Sequence, residues 1–127
     1  MKIAIMIARI LLGLIFAVFG ANGLHPFLPM GPLPTGLAGQ FFTVFFQSHW
    51  VMFVAAVQFI SGVLLLVNRY VPLALTLLGP VIFNIILYHV LLTPAGAHLA
   101  VVATILWIFL FYAYRKYFAG IFVQKTS

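Results

Sequence analysis

Four histidines, His25, His49, His89 and His98, are the only side chains in this sequence that titrate near neutral pH. Aspartate, glutamate and cysteine are absent. Paired-carboxylate acid–base catalysis, a carboxylate proton relay and a carboxylate cage for a hard cation are therefore excluded. So are thiolate metal sites and thiol–disulfide exchange. A catalytic triad would lack its acid, and no Walker loop, dinucleotide fingerprint, CxxC or HExxH occurs. No catalytic and no metal-binding residue is assigned. Any redox step would have to be carried by a cofactor or a partner.

The histidines admit three readings. Imidazoles suit the headgroup region of a membrane, where the ring wets its polar edge. Neutral imidazole also ligates metals and haem, though carboxylate and thiolate ligands are missing here. A third reading is a site for a quinone or other apolar small molecule, with a histidine near the bound carbonyl. The amides admit two. Asn84 and Gln58 sit near the middle of successive apolar segments, where an interhelical hydrogen bond is worth about 0.6 kcal/mol. Alternatively Asn22, Gln58, Asn84 and Tyr88 line a polar cavity. With His89, these make up the candidate ligand-binding residues. Ser61 is expected to bond its own backbone, and Trp50 and Trp107 to pack or anchor.

The elements that must position these groups follow from composition. The chain has 127 residues, 66% hydrophobic and 5% charged, with a mean hydropathy of +1.29. A water-soluble surface needs far more charge, so the solvent is lipid. The fold class is all-α, a single-domain polytopic membrane four-helix bundle over residues 1–127. Its spans are expected at about 3–24, 49–67, 71–92 and 98–118. Val71 to Leu92 shows the logic: roughly 20 residues at 1.5 Å each cross a ~30 Å hydrocarbon core. Pro80 predicts a kink there, with Asn84 and Tyr88 following on one face.

The first span begins with Lys2 and Arg9. It has the layout of a secretory signal peptide, but no small-x-small site precedes a polar start, so it reads as a membrane helix. Gly13, Ala17 and Ala21 form a small-residue face for close helix approach, or for contact with a second copy. His25 to Gly39 is proline-rich and reads as a loop. Gln40 to Ser48 reads as an interfacial helix or the first turns of span two. Asn68-Arg69-Tyr70 is a tight turn, and Pro72 sits where a helix start tolerates proline. Thr93 to Ala97 is a turn.

Every lysine and arginine lies near an end of an apolar segment, which points to anionic lipid headgroups rather than nucleic acid. Lys2, Arg9, Arg69, Arg115, Lys116 and Lys125 all fall on one side of a four-span topology. By the positive-inside rule, both termini are cytoplasmic. The four histidines then share the outer side.

The stretches ARILLGLIFAVFGANGLHPFLP and QFISGVLLLVNRYVPLALTLLGPVIFNIILYHVLL resemble the DoxX-like family of small four-helix membrane proteins. The resemblance rests on the turn Gly20 to Gly23, the Gly62 helix, the Arg69-Tyr70-Val71-Pro72 turn, and Asn84 followed by His89. It implies the bacterial plasma (inner) membrane. Some members are linked to thiosulfate oxidation with quinone as acceptor, others to a membrane complex handling oxidative stress. The function expected is therefore an accessory or quinone-linked redox subunit, with a membrane or redox partner protein. It would bind a small apolar molecule in an outer-facing pocket. The alternatives are a small-solute transporter or channel subunit and a structural or chaperone-like membrane partner.

Overall fold

In a computed structural model, residues 1–27, 33–94 and 96–126 are described. They form α1 (Lys2–Leu24), α2 (Gly36–Gln47), α3 (Trp50–Leu66), α4 (Val71–Leu91), α5 (Ala97–Ala113) and a 3₁₀ segment, Arg115–Phe122. No strand occurs among the described residues. Runs of Leu, Ile, Val and Phe with no interior charge favour intrahelical bonding, because the backbone finds no competing water in an apolar setting. α1, of 23 residues, and α4, of 21, are each long and apolar enough to cross a bilayer. α3 and α5, of 17 residues each, reach that length only with a bent neighbour. α2 meets α3 at 83° and the 3₁₀ segment meets α5 at 81°. Among the described residues, two helices are thus long and apolar enough to cross a membrane, or up to four crossings are possible if each bent pair is one.

Two boundaries differ from expectation. α2 is a separate helix that starts at Gly36, inside the stretch read as loop. Pro26 and Pro34 are non-helical as expected, while Pro29 and Pro32 lie outside the described residues. Beyond Pro34 no proline remains to oppose helix, so α2 begins two residues later. The last α-helix is also shorter than the expected 98–118 segment, since α5 stops at Ala113 and the chain bends at Tyr114 into the 3₁₀ segment. The expected turn at Asn68–Tyr70 is present, with Asn68 at φ 57° and Tyr70 at φ 53°. The turn over Thr93 to Ala97 includes Ala95, which lies outside the described residues. α4 is continuous through Pro80.

α1 packs on α3 and α5, and α4 packs on the same two helices, closing a ring. Leu12, Leu65, Leu75, Leu78 and Leu110 are fully buried at its centre. Large apolar side chains such as Ile3, Ile7, Phe53, Ile60, Phe83 and Ile105 stay exposed on the outside. Such a periphery suits hydrocarbon and would be a liability in water.

The tightest contact joins α1 and α3. A methyl group on Gly62 would lie 2.3 Å from the backbone nitrogen of Ala17 and 2.8 Å from the Gly13 carbonyl oxygen. One on Gly20 would lie 2.4 Å from the backbone nitrogen of Phe59. Backbone meets backbone because these side chains are absent. The close face is thus Gly13, Ala17 and Gly20, and α3 of the same chain occupies it. Pairing Gly13 with Gly62, and Gly23 with Ala55, makes the two helices antiparallel.

Two polar side chains tie helices together. The Arg9 guanidinium donates from α1 to the carbonyls of Leu65 and Leu66, the last residues of α3. A cation there also opposes the negative end of the helix dipole. The Trp107 indole N–H on α5 donates 2.9 Å to the Leu75 carbonyl on α4. The ring stacks on Phe111 at 5.1 Å. This sets the last turns of α5 beside the first turns of α4. Arg9, Arg69 and Arg115 therefore gather at one end of the ring, and His25, His49, His89 and His98 at the other.

Gly62→Ala is expected to cost about 1–3 kcal/mol despite alanine's better helix propensity, because backbones must separate. Gly120→Ala, with nothing within 4 Å of the added methyl, should leave stability unchanged. Thermal unfolding of the two variants in detergent checks the pair.

Candidate functional site

At the histidine-bearing end, a groove of about 240 Å³ lies between α4 and α5. α4 contributes Ile86 and Val90 to its walls, and α5 contributes Ala97, Ala100, Val101 and Ile105. Small residues at Ala97, Ala100 and Thr104, three and four apart, fall on one face of α5 and create the furrow. Val90, Val101 and Ile105 are exposed, so the groove opens sideways, where lipid chains would lie.

Two polar side chains line it, His89 and Thr104. His89 Nδ1 lies 2.9 Å from the Ile85 carbonyl oxygen, one turn back on α4. Thr104 Oγ1 donates 2.7 Å to the Ala100 carbonyl, one turn back on α5. The far side of the imidazole faces the start of α5, where a methyl group on Gly96 would come 3.8 Å from Nε2. Gly96 has φ 80°, a conformation that suits glycine and lets the chain turn tightly from α4 into α5.

Tyr88 adjoins this groove without lining it. Its ring meets His89 edge-on at 5.1 Å. On its other side it contacts Phe41 at 5.7 Å and Phe42 at 5.1 Å, both on α2. Phe41 stacks on Phe45, and Phe42 on Phe46, each pair one turn apart. α2 thus lays a phenylalanine face over the end of α4.

The other three candidates lie elsewhere. Asn22 is buried at the end of α1, and its Oδ1 accepts a 2.9 Å bond from the Phe27 backbone N–H. It holds the chain as it leaves the helix. Gln58 is half-buried on α3. Asn84 is exposed, and its amide donates 2.8 Å to the Pro80 carbonyl on its own helix. No Gln58–Asn84 bond forms. Asn84 and His89 are five residues apart, about 140° around a helix, so they cannot share a face. The structure brings Tyr88 and His89 together and leaves Asn22, Gln58 and Asn84 outside the groove.

Ser61 also departs from expectation. It is fully buried, and its hydroxyl makes no hydrogen bond to its own backbone or to any other described group. Of the other histidines, His25, His49 and His98 are exposed. Among the described residues no three of them converge on a common point. A wider hollow of about 630 Å³ runs along α2 beside Gln40 and Thr43. None of the five candidate residues lines it. Thr104 and the α5 wall were not anticipated from the sequence. The signal that marks them is the small-residue spacing on α5, which draws less notice than polar side chains.

Compared with known protein families, curated proteins and solved structures, the chain matches none.

Removing a buried hydroxyl that has no partner relieves a penalty of about 1–3 kcal/mol. Against that, Ser61→Ala loses only one atom of packing. The variant is expected to be as stable as the parent or more so, by up to about 1 kcal/mol. Denaturant titration in mixed micelles measures it, and a clear loss of stability would show that the hydroxyl is bonded.

Proposed function

We propose that this chain is a multi-pass protein of the bacterial inner membrane that holds a small apolar molecule in the groove between α4 and α5. In this reading α1, α4 and the two bent pairs make four crossings in a bundle. Both termini and Arg69 face the cytoplasm, and the groove opens near the outer leaflet. The chain serves as an accessory subunit of a quinone-linked redox system and works with a membrane or redox partner. Having no carboxylate to complete a catalytic triad, it leaves any redox step to a cofactor or to that partner.

The observation that carries the reading is the groove itself. It is apolar, open to the side, and has an imidazole at the histidine-bearing end. Ligand sites are concave and mostly apolar, with a few placed polar groups. A lateral opening admits a molecule already dissolved in the bilayer. The orientation rests on the cations gathered at the opposite end.

An apolar diazirine probe, photoactivated in membranes, is expected to label α4 and α5 at the groove. Val101→Trp, at a position 54% exposed on the rim, should reduce that labelling without unfolding the protein. Labelling spread evenly over all helices would remove the site. A single cysteine introduced at Arg69 is expected to resist a membrane-impermeant reagent in intact cells. Labelling from outside would invert the topology.

A further inference from the structure

We propose that the folded-over segment Arg115–Phe122, with Val123 and Lys125 just beyond it, is an in-plane anchor that docks on anionic phospholipid headgroups. This docking rests on the reading of the chain as a membrane bundle. It adds the surface at which one end of the bundle meets lipid and the lipid class that covers it.

The cations there have no counter-charge within the chain. The sequence holds six lysines and arginines and no aspartate or glutamate. Arg9 is already engaged with the Leu65 and Leu66 carbonyls. Arg115, Lys116 and Lys125 are all exposed. The Arg115 guanidinium lies 4.2 Å from the centre of the Tyr112 ring, and one of its nitrogens donates 2.8 Å to the Tyr112 carbonyl. A guanidinium carries five N–H donors, so others stay available for a phosphate. Lys116 Nζ lies 5.1 Å from the centre of the Tyr117 ring. Both cations are thus held beside rings of their own chain, which lowers the entropy lost when an anion binds them.

Shape supplies the second half. The 17 residues of α5 extend about 25 Å, most of a ~30 Å hydrocarbon core. The segment after it therefore starts near the boundary with the headgroups, and it leaves α5 at 81°, along that boundary. Phe118 pins it to the bundle. This side chain is buried, and its ring packs on Phe111 at 4.7 Å, which in turn stacks on Trp107. Ile121, Phe122 and Val123 are exposed. Apolar side chains beside cations on one surface segment suit this depth, where acyl chains cover the former and phosphates meet the latter. An acidic protein would have to displace the headgroups already there.

The test exploits the absence of cysteine. Ile121→Cys on the anchor and Phe83→Cys, exposed on α4, each take a single bimane fluorophore. The purified proteins are reconstituted in phosphatidylcholine vesicles that hold a small, equal fraction of chain-brominated phosphatidylglycerol or chain-brominated phosphatidylcholine. Bromine quenches at close range, so the signal reads both immersion and which lipid is local. At position 121 the brominated anionic lipid is expected to quench as if enriched roughly three- to fivefold over its bulk fraction. At position 83 the two lipids should quench alike. High salt, which screens exposed charges, should bring the enrichment at 121 back toward one, as should Arg115→Gln/Lys116→Gln/Lys125→Gln. The salt comparison uses one folded sample and needs no charge variant. Equal quenching by the two lipids at 121, or enrichment that survives high salt, would overturn the inference. Quenching at 83 alone would put the segment in water and overturn it too, while leaving the membrane bundle in place. If neither position is quenched, lipid does not surround the helices and both readings fall.

Discussion

A polar side chain on an apolar helix escapes its desolvation penalty in one of two ways. It bonds the backbone of its own preceding turn, or it reaches another helix. This chain uses the first route almost throughout. Thr43, Thr76, Asn84, His89 and Thr104 each bond the carbonyl four residues earlier. Polar side chains therefore contribute little to holding the helices together. Arg9 and Trp107 are the cross-helix cases among the hydrogen bonds described. Association is left to surface fit, which explains why the Gly13–Gly62 and Gly20–Phe59 approaches are so close. Dispersion between backbones rises steeply as they near contact, and no hydrophobic force acts between helices already in lipid.

The same constraint shapes the groove. His89 and Thr104 both bond their own preceding turns. With those polar atoms bonded to their own turns, the surface they leave to the groove is almost wholly hydrocarbon. Tyr88 then links the groove to α2 through Phe41 and Phe42. The helix lying across the bundle's end is thereby in ring contact with the side chain next to the site.

Much of the helical layout was legible in the sequence, because apolar runs and charged or proline-rich breaks mark where helices start. α4 begins at Val71 with Pro72 in its first turn, and the Asn68–Tyr70 turn lies where its polarity put it. The bend between α2 and α3 was not resolved. It turns on His49, which takes a left-handed backbone at φ 64°; histidine is enriched in that conformation but adopts it in a small minority of cases, so one histidine does not mark a bend. The end of α5 was hidden in the same way, since aromatic residues continue unbroken past Tyr114. At the site, depth along the helix was easy to judge and angle was not. Asn84 and Gln58 share a level but do not meet, while Tyr88 and His89 do. The α5 wall escaped notice because a furrow is made by what is missing from alanine, not by a group with chemistry of its own.

The Arg9 contact bears on how the molecule is made. α1 precedes α3 in the chain, so its guanidinium is made before there is a helix end to bind. Until then it needs other acceptors, since an unpaired charged donor is costly. Docking of α3 then exchanges those acceptors for the Leu65 and Leu66 carbonyls. The contact therefore exists only once both helices are in place, and it marks the docked pair.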